Sequence, residues 1–182
     1  TRVAGDSTID DGKVIVEEGD LDIGEETLAG NLTLTRDTIF RMDGGGSINI
    51  KPNSSIAAAT HSLTMVTNEL NVDPTAGDIT AENITITPQN KSLDIVLGTA
   101  TGDGLGLGAS AFDHFDSPNI VIGETGYAGT IHVGNLTVST GQLTLIADGE
   151  NGSIEIGGDL VSNATSSPSG KGIVIEGSGA TT

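Results

Sequence analysis

The stretch from Ser62 to Pro88, SLTMVTNELNVDPTAGDITAENITITP, carries the pattern that decides the fold. In it, Leu63-Thr64-Met65, Leu70-Asn71-Val72 and Ile84-Thr85-Ile86 each set a polar residue between two apolar ones. Alternation with period two sends the outer pair to one face of a strand and the middle residue to the other. The residues between triplets are rich in Asp, Asn, Thr, Gly and Pro, which make turns.

The rhythm runs from end to end. It begins with Val14-Ile15-Val16, Leu21-Asp22-Ile23, Leu32-Thr33-Leu34 and Ile48-Asn49-Ile50. It continues with Leu93-Asp94-Ile95, Ile120-Val121-Ile122, Ile131-His132-Val133 and Leu136-Thr137-Val138. Leu143-Thr144-Leu145, Ile154-Glu155-Ile156 and Ile173-Val174-Ile175 complete it. Two architectures suit such short strands: an antiparallel sandwich or jelly roll, and a parallel β-helix. The strands are too short for a wide sandwich face. Asn-Gly and Asp-Gly pairs occur, but not regularly between neighbouring triplets as hairpins require. The expectation is therefore an all-β parallel β-helix over a single domain, 1–182. At roughly 25 residues per coil, the chain makes about seven coils.

Composition agrees. The hydrophobic fraction is 35%, and Phe40, Phe112, Phe115 and Tyr127 are its four aromatics. A narrow core of stacked Ile, Leu and Val needs no bulky filler. Seven Lys and Arg stand against 25 Asp and Glu, a net charge of -18, which repels phosphate backbones and argues against a nucleic-acid partner. With no cysteine there is neither a disulfide nor a thiolate metal site. No apolar run has the length of a membrane-spanning helix. The start, TRVAGDSTID, reads as a fragment or processed subunit of a secreted protein.

The rhythm stops between Leu107 and Asn119. Ser110-Ala111-Phe112-Asp113 has the form of a capping box, which predicts a brief helical excursion near 110–116. Phe112 and Phe115, at i and i+3, would share a face of that turn and cover the interrupted ladder. Ser117-Pro118 ends it. The segment LGLGASAFDHFDSPNIVIGETGYAGTIHVGNLTV, Leu105 to Val138, resembles the repeat signature of filamentous-haemagglutinin-like exoproteins, the adhesins of two-partner secretion. The matching positions are Leu105 to Leu107, Ser110 to Phe115, Ile120 to Gly123 and Thr130 to Val138. Phe112 and Phe115 depart from the smaller aliphatics expected there. The resemblance implies a right-handed parallel β-helix, export to the cell surface, an adhesin, matrix or filament role, and no catalytic residues.

Three residue sets are candidates for chemistry. Seven N-x-S/T sequons occur, at Asn31, Asn53, Asn83, Asn90, Asn135, Asn151 and Asn163. They read either as glycosylation sites or as outward polar ladders. Glu17 to Glu26 concentrates six carboxylates, and Asp20, Asp22, Glu25 and Glu26 are candidate Ca²⁺ ligands, although the spacing matches no known calcium loop. Ca²⁺ is the one cofactor suggested. His61, His114 and His132 are scattered, and no Ser-His-Asp or HExxH pattern joins them. The leading expectation is a non-catalytic extracellular shaft or filament. Its expected partners are further copies or flanking repeats end to end, and surface glycans. A self-assembling subunit joined by strand exchange or Ca²⁺ is the second expectation. A carbohydrate-active β-helix enzyme is the third.

Overall fold

The computed structural model describes residues 1–139, 141–163 and 172–177. Its strands are short because each is one side of a coil. The first coil is β1 (Arg2–Val3), β2 (Gly5–Ile9) and β3 (Lys13–Val16); the second is β4 (Leu21–Ile23), β5 (Gly30–Leu34) and β6 (Thr38–Met42). The third is β7 (Ile48–Ile50), β8 (Ser55–Ala57) and β9 (Ser62–Val66), and the fourth β10 (Leu70–Val72), β11 (Ile79–Thr80) and β12 (Asn83–Thr87). The fifth is longer: β13 (Ile95–Leu97), β14 (Leu105–Leu107), the helix α1 (Ala109–Phe112), β15 (Phe115–Asp116) and β16 (Asn119–Glu124). Then come β17 (Thr130–Val133), β18 (Leu136–Val138) and β19 (Gln142–Ala147), followed by β20 (Ser153–Ile156), β21 (Leu160–Ser162) and β22 (Ile173–Gly177).

All strand pairings between the described residues are parallel, and the chain is a β-solenoid of about seven turns. Three faces run along it. One is unbroken, with seven strands in the order β22-β19-β16-β12-β9-β6-β3. The second divides into β1-β4-β7-β10 and β14-β13-β17-β20, and the third into β15-β11-β8-β5-β2 and β18-β21. At about 4.8 Å per strand, seven strands make a rod about 30 Å long.

The core is the inward half of the alternation. Along the unbroken face, Phe40, Met65, Ile86, Ile122 and Leu145 stack in one register column and are fully buried. The column beside it faces outward and runs Ile39, Thr64, Thr85, Val121, Thr144 and Val174. Successive members are 25, 21, 36, 23 and 30 residues apart, so coil length varies around the expected 25.

The 36-residue step contains the break. Seven residues, 98 to 104, join β13 to the parallel strand β14, which lies on the β10 side of β13. Parallel neighbours normally need a crossover of a dozen residues or more. Here the short strap doubles back within one face, and no ladder is assigned between β10 and β14. The helix packs beside β18, where the third face also divides.

The helix corrects two expectations. It is capped from Gly108, whose extended backbone starts it without a side-chain bond, so Ser110 and Asp113 do not form a capping box. It spans four residues, and Phe115 lies beyond it in β15. The rings of Phe112 and Phe115 still meet edge to face, centroids 5.5 Å apart, and both are buried. The triplet Leu93-Asp94-Ile95 is also shifted. The strand is Ile95–Leu97, and Asp94 sits at its entry. β1, β2, β6, β8, β11, β14, β15 and β21 fall outside the triplets recognised in the sequence.

Candidate functional site

The outward residues form ladders up the rod. Asn49 Nδ2 donates to Asp22 Oδ1 at 2.8 Å, and Asn71 Nδ2 to Asn49 Oδ1 at 2.9 Å. On the unbroken face, Asn119 Nδ2 donates to Asn83 Oδ1 at 2.8 Å, and Asn83 Nδ2 to Ser62 Oγ at 3.1 Å. Asn31 Nδ2 donates to Asp6 Oδ1 at 2.8 Å and its Oδ1 accepts from Ser55 Oγ at 3.0 Å. The amides of Asn31, Asn49 and Asn83 each both donate and accept, so a polar column can run from coil to coil with its members paired.

These ladders sort the seven sequons. Asn31 and Asn83 use their side-chain nitrogens inside ladders. Asn135 Oδ1 accepts from the Asp159 N–H, and Asn90 Oδ1 from the Ser92 N–H. Asn53 and Asn151 are exposed turn residues at positive φ, 57° and 142°. Asn163 is exposed, while Thr165 of its sequon lies outside the described residues.

The four candidate calcium ligands are each engaged by protein groups. Asp20 Oδ1 accepts from Ser47 N at 2.8 Å and Ser47 Oγ at 2.9 Å, and these bonds hold its carboxyl below the usual range. Asp22 Oδ1 caps the Asn49 ladder. Glu25 pairs with Arg2 at 2.9 Å and Glu26 with Lys51 at 3.3 Å. Among the described residues, no group of three or more His, Asp or Glu converges as a metal site. Asp22, Glu25 and Glu26 do line one shallow hollow, together with Arg2 and Lys51.

A second hollow is the site that sequence reading missed. His132, outward on β17, stands between two carboxylates: Nδ1 is 3.1 Å from Glu155 Oε2, and Nε2 is 3.5 Å from Asp94 Oδ2. Thr130 N donates to the other oxygen of Asp94 at 2.8 Å, fixing that side chain. Thr99 and Thr101 of the strap, with Asn135, complete a cleft of about 300 Å³. It offers hydroxyl, amide, imidazole and carboxylate groups, the set that hydrogen-bonds a small hydroxyl-rich molecule. His132 and Glu155 are middle residues of recognisable triplets, and their partnership follows from the β17–β20 register. The other histidines are elsewhere; His61 lies 3.9 Å from Asp37.

The aromatics serve the core. Tyr127 is fully buried at the corner after β16, and its hydroxyl donates to the Leu93 carbonyl. A side chain at Gly129 would put its Cβ 2.5 Å from that hydroxyl, so the corner needs glycine there. Burial, and to a smaller degree Asp94, pushes the Tyr127 phenol well above its ordinary range. Comparisons with protein-family models, with curated proteins and with solved structures return no match.

Proposed function

We propose that this chain is a shaft segment of an extracellular surface protein, an adhesin or matrix filament of the filamentous-haemagglutinin type, with a mechanical rather than catalytic role. The observation that carries the reading is the unbroken seven-stranded face, with its aliphatic columns inside and paired polar residues outside. Such a rod transmits spacing along its axis, because each coil is held by neighbours above and below. The acidic surface and the absence of cysteine suit an exported chain that stays soluble without disulfides. The polar cleft at His132 is where a surface glycan would dock. Antibodies raised against the chain test the location. Labelling of intact cells of the source organism supports the reading, and labelling only after permeabilisation overturns it.

A further inference from the structure

The outer side of the unbroken face differs from the rest of the surface. Its central column, Ile39, Thr64, Thr85, Val121, Thr144 and Val174, is β-branched on six consecutive strands. The outward positions of β9, β12, β16 and β19 between the corners bear no charge: they are Ser, Asn, Thr, Val, Gln, Ile and Gly. In a chain of net charge -18, that is a neutral strip set among carboxylates. Charge returns towards its two ends. Lys13 stands at the β3 end, where Arg41 is ion-paired to Asp43 of the same chain, and Glu176 stands at the β22 end.

We propose that this face pairs with the same face of a second copy, in a two-fold dimer whose rods run antiparallel. The charges select that arrangement. Antiparallel rods set Lys13 of one copy near Glu176 of the other, and do so twice. Parallel rods would set Lys13 against Lys13. The two-fold axis lies along the strands near Thr85, so the neutral column packs on itself, with the sheets about 10 Å apart. β-branched side chains on a parallel sheet are stiff and lose little freedom when covered. The strip is about 30 Å by about 17 Å, roughly 500 Å² per copy. This is at the low end of specific interfaces and fits a weak, concentration-dependent dimer. The mutual repulsion of two acidic chains opposes it, so salt strengthens the pairing. The inference rests on one face of the rod and stands whether or not the chain is a surface shaft.

Sedimentation velocity over a concentration series tests it, in low salt and in about 0.5 M NaCl, where surface charges are screened within a few ångströms. The expected result is a monomer–dimer equilibrium that moves towards dimer with salt. Thr85→Arg sets like charges face to face on the axis and should weaken pairing at least about tenfold. Lys13→Glu and Glu176→Lys should each weaken it by about fivefold, and together restore it. Both charged residues are exposed, and circular dichroism checks that every variant is folded. A monomer in all conditions overturns the proposal. So does a dimer insensitive to Thr85→Arg, or a double swap that fails to recover. A monomer that instead adheres to an insoluble polysaccharide through this face also overturns it.

Discussion

Phe112 and Phe115 are unlike the rest of the core, which is aliphatic. They fill the space where α1 interrupts the stack, and their edge-to-face contact adds to the burial. Phe112→Ala should cost about 3–5 kcal/mol, read from urea unfolding followed by circular dichroism. A loss below about 1 kcal/mol would mean that the cavity collapses and the ring is not what holds the break together. Tyr127 gives a cleaner residue-scale test, because the chain has one Tyr and no Trp. In the unfolded chain its phenol ionises near pH 10. In the folded chain burial holds the proton on well beyond that. Its contribution to stability is therefore intact below about pH 10 and is lost as pH rises above it. Phenolate absorbance should appear only together with alkaline unfolding. A phenolate that titrates near pH 10 in a still-folded chain would refute this. At the acid end the sign reverses. Thr35 and Arg36 lower Asp10, Ser47 lowers Asp20 and Thr75 lowers Asp73, so their contributions hold above about pH 4 and fade as pH falls.

At the scale of an element, each strand is held by what lies above and below it. Ser54 is buried between coils and its hydroxyl accepts from the Gly30 N–H at 2.9 Å. Gly24 makes room for it: φ is +87°, and a Cβ there would lie 1.9 Å from Ser54 Oγ. Gly24→Ala adds backbone strain to that clash and should cost about 2–3 kcal/mol in thermal or urea unfolding. A neutral result would show that β4 and its turn shift without penalty. The asparagine ladder on β12 and β16 makes a different prediction. A glycan on Asn83 would have to take the nitrogen that donates to Ser62, whereas Asn53 and Asn151 are exposed in turns. Expressed in a glycosylating host, the chain should carry sugar at Asn53 and Asn151 before Asn83, as peptide mass spectrometry would report. Occupancy in the reverse order would mean that the ladder opens readily.

At the scale of the molecule, the long fifth coil divides the rod. Two faces are interrupted there, and only the β3-to-β22 face crosses with its hydrogen bonds intact. Solenoid stability is close to a sum of coil and interface terms, so the weakest interface sets where partial opening begins. Leu145→Ala, in the fully buried column of β19, should lower hydrogen-exchange protection in coils five to seven more than in coils one to four. Equal loss throughout would show that the break transmits as much coupling as any other level.

The alternation, and with it which side chains of the triplets face the core, is legible in the sequence. The sequence also favoured parallel stacking of about seven coils over a sandwich, because strands of three to five residues without regular hairpin turns build no wide sheet face. These are local properties, set by two dihedrals per residue and a period of two. The tertiary structure alone decided the register between coils. Steps of 21 to 36 residues cannot be read from a nominal repeat, so the contact of His132 with Glu155 and Asp94 stayed hidden, although all three are middle residues of triplets. It also decided the reversal of β13 and β14. That depends on a strap whose residues read as an ordinary glycine turn and whose path is set by what it packs against.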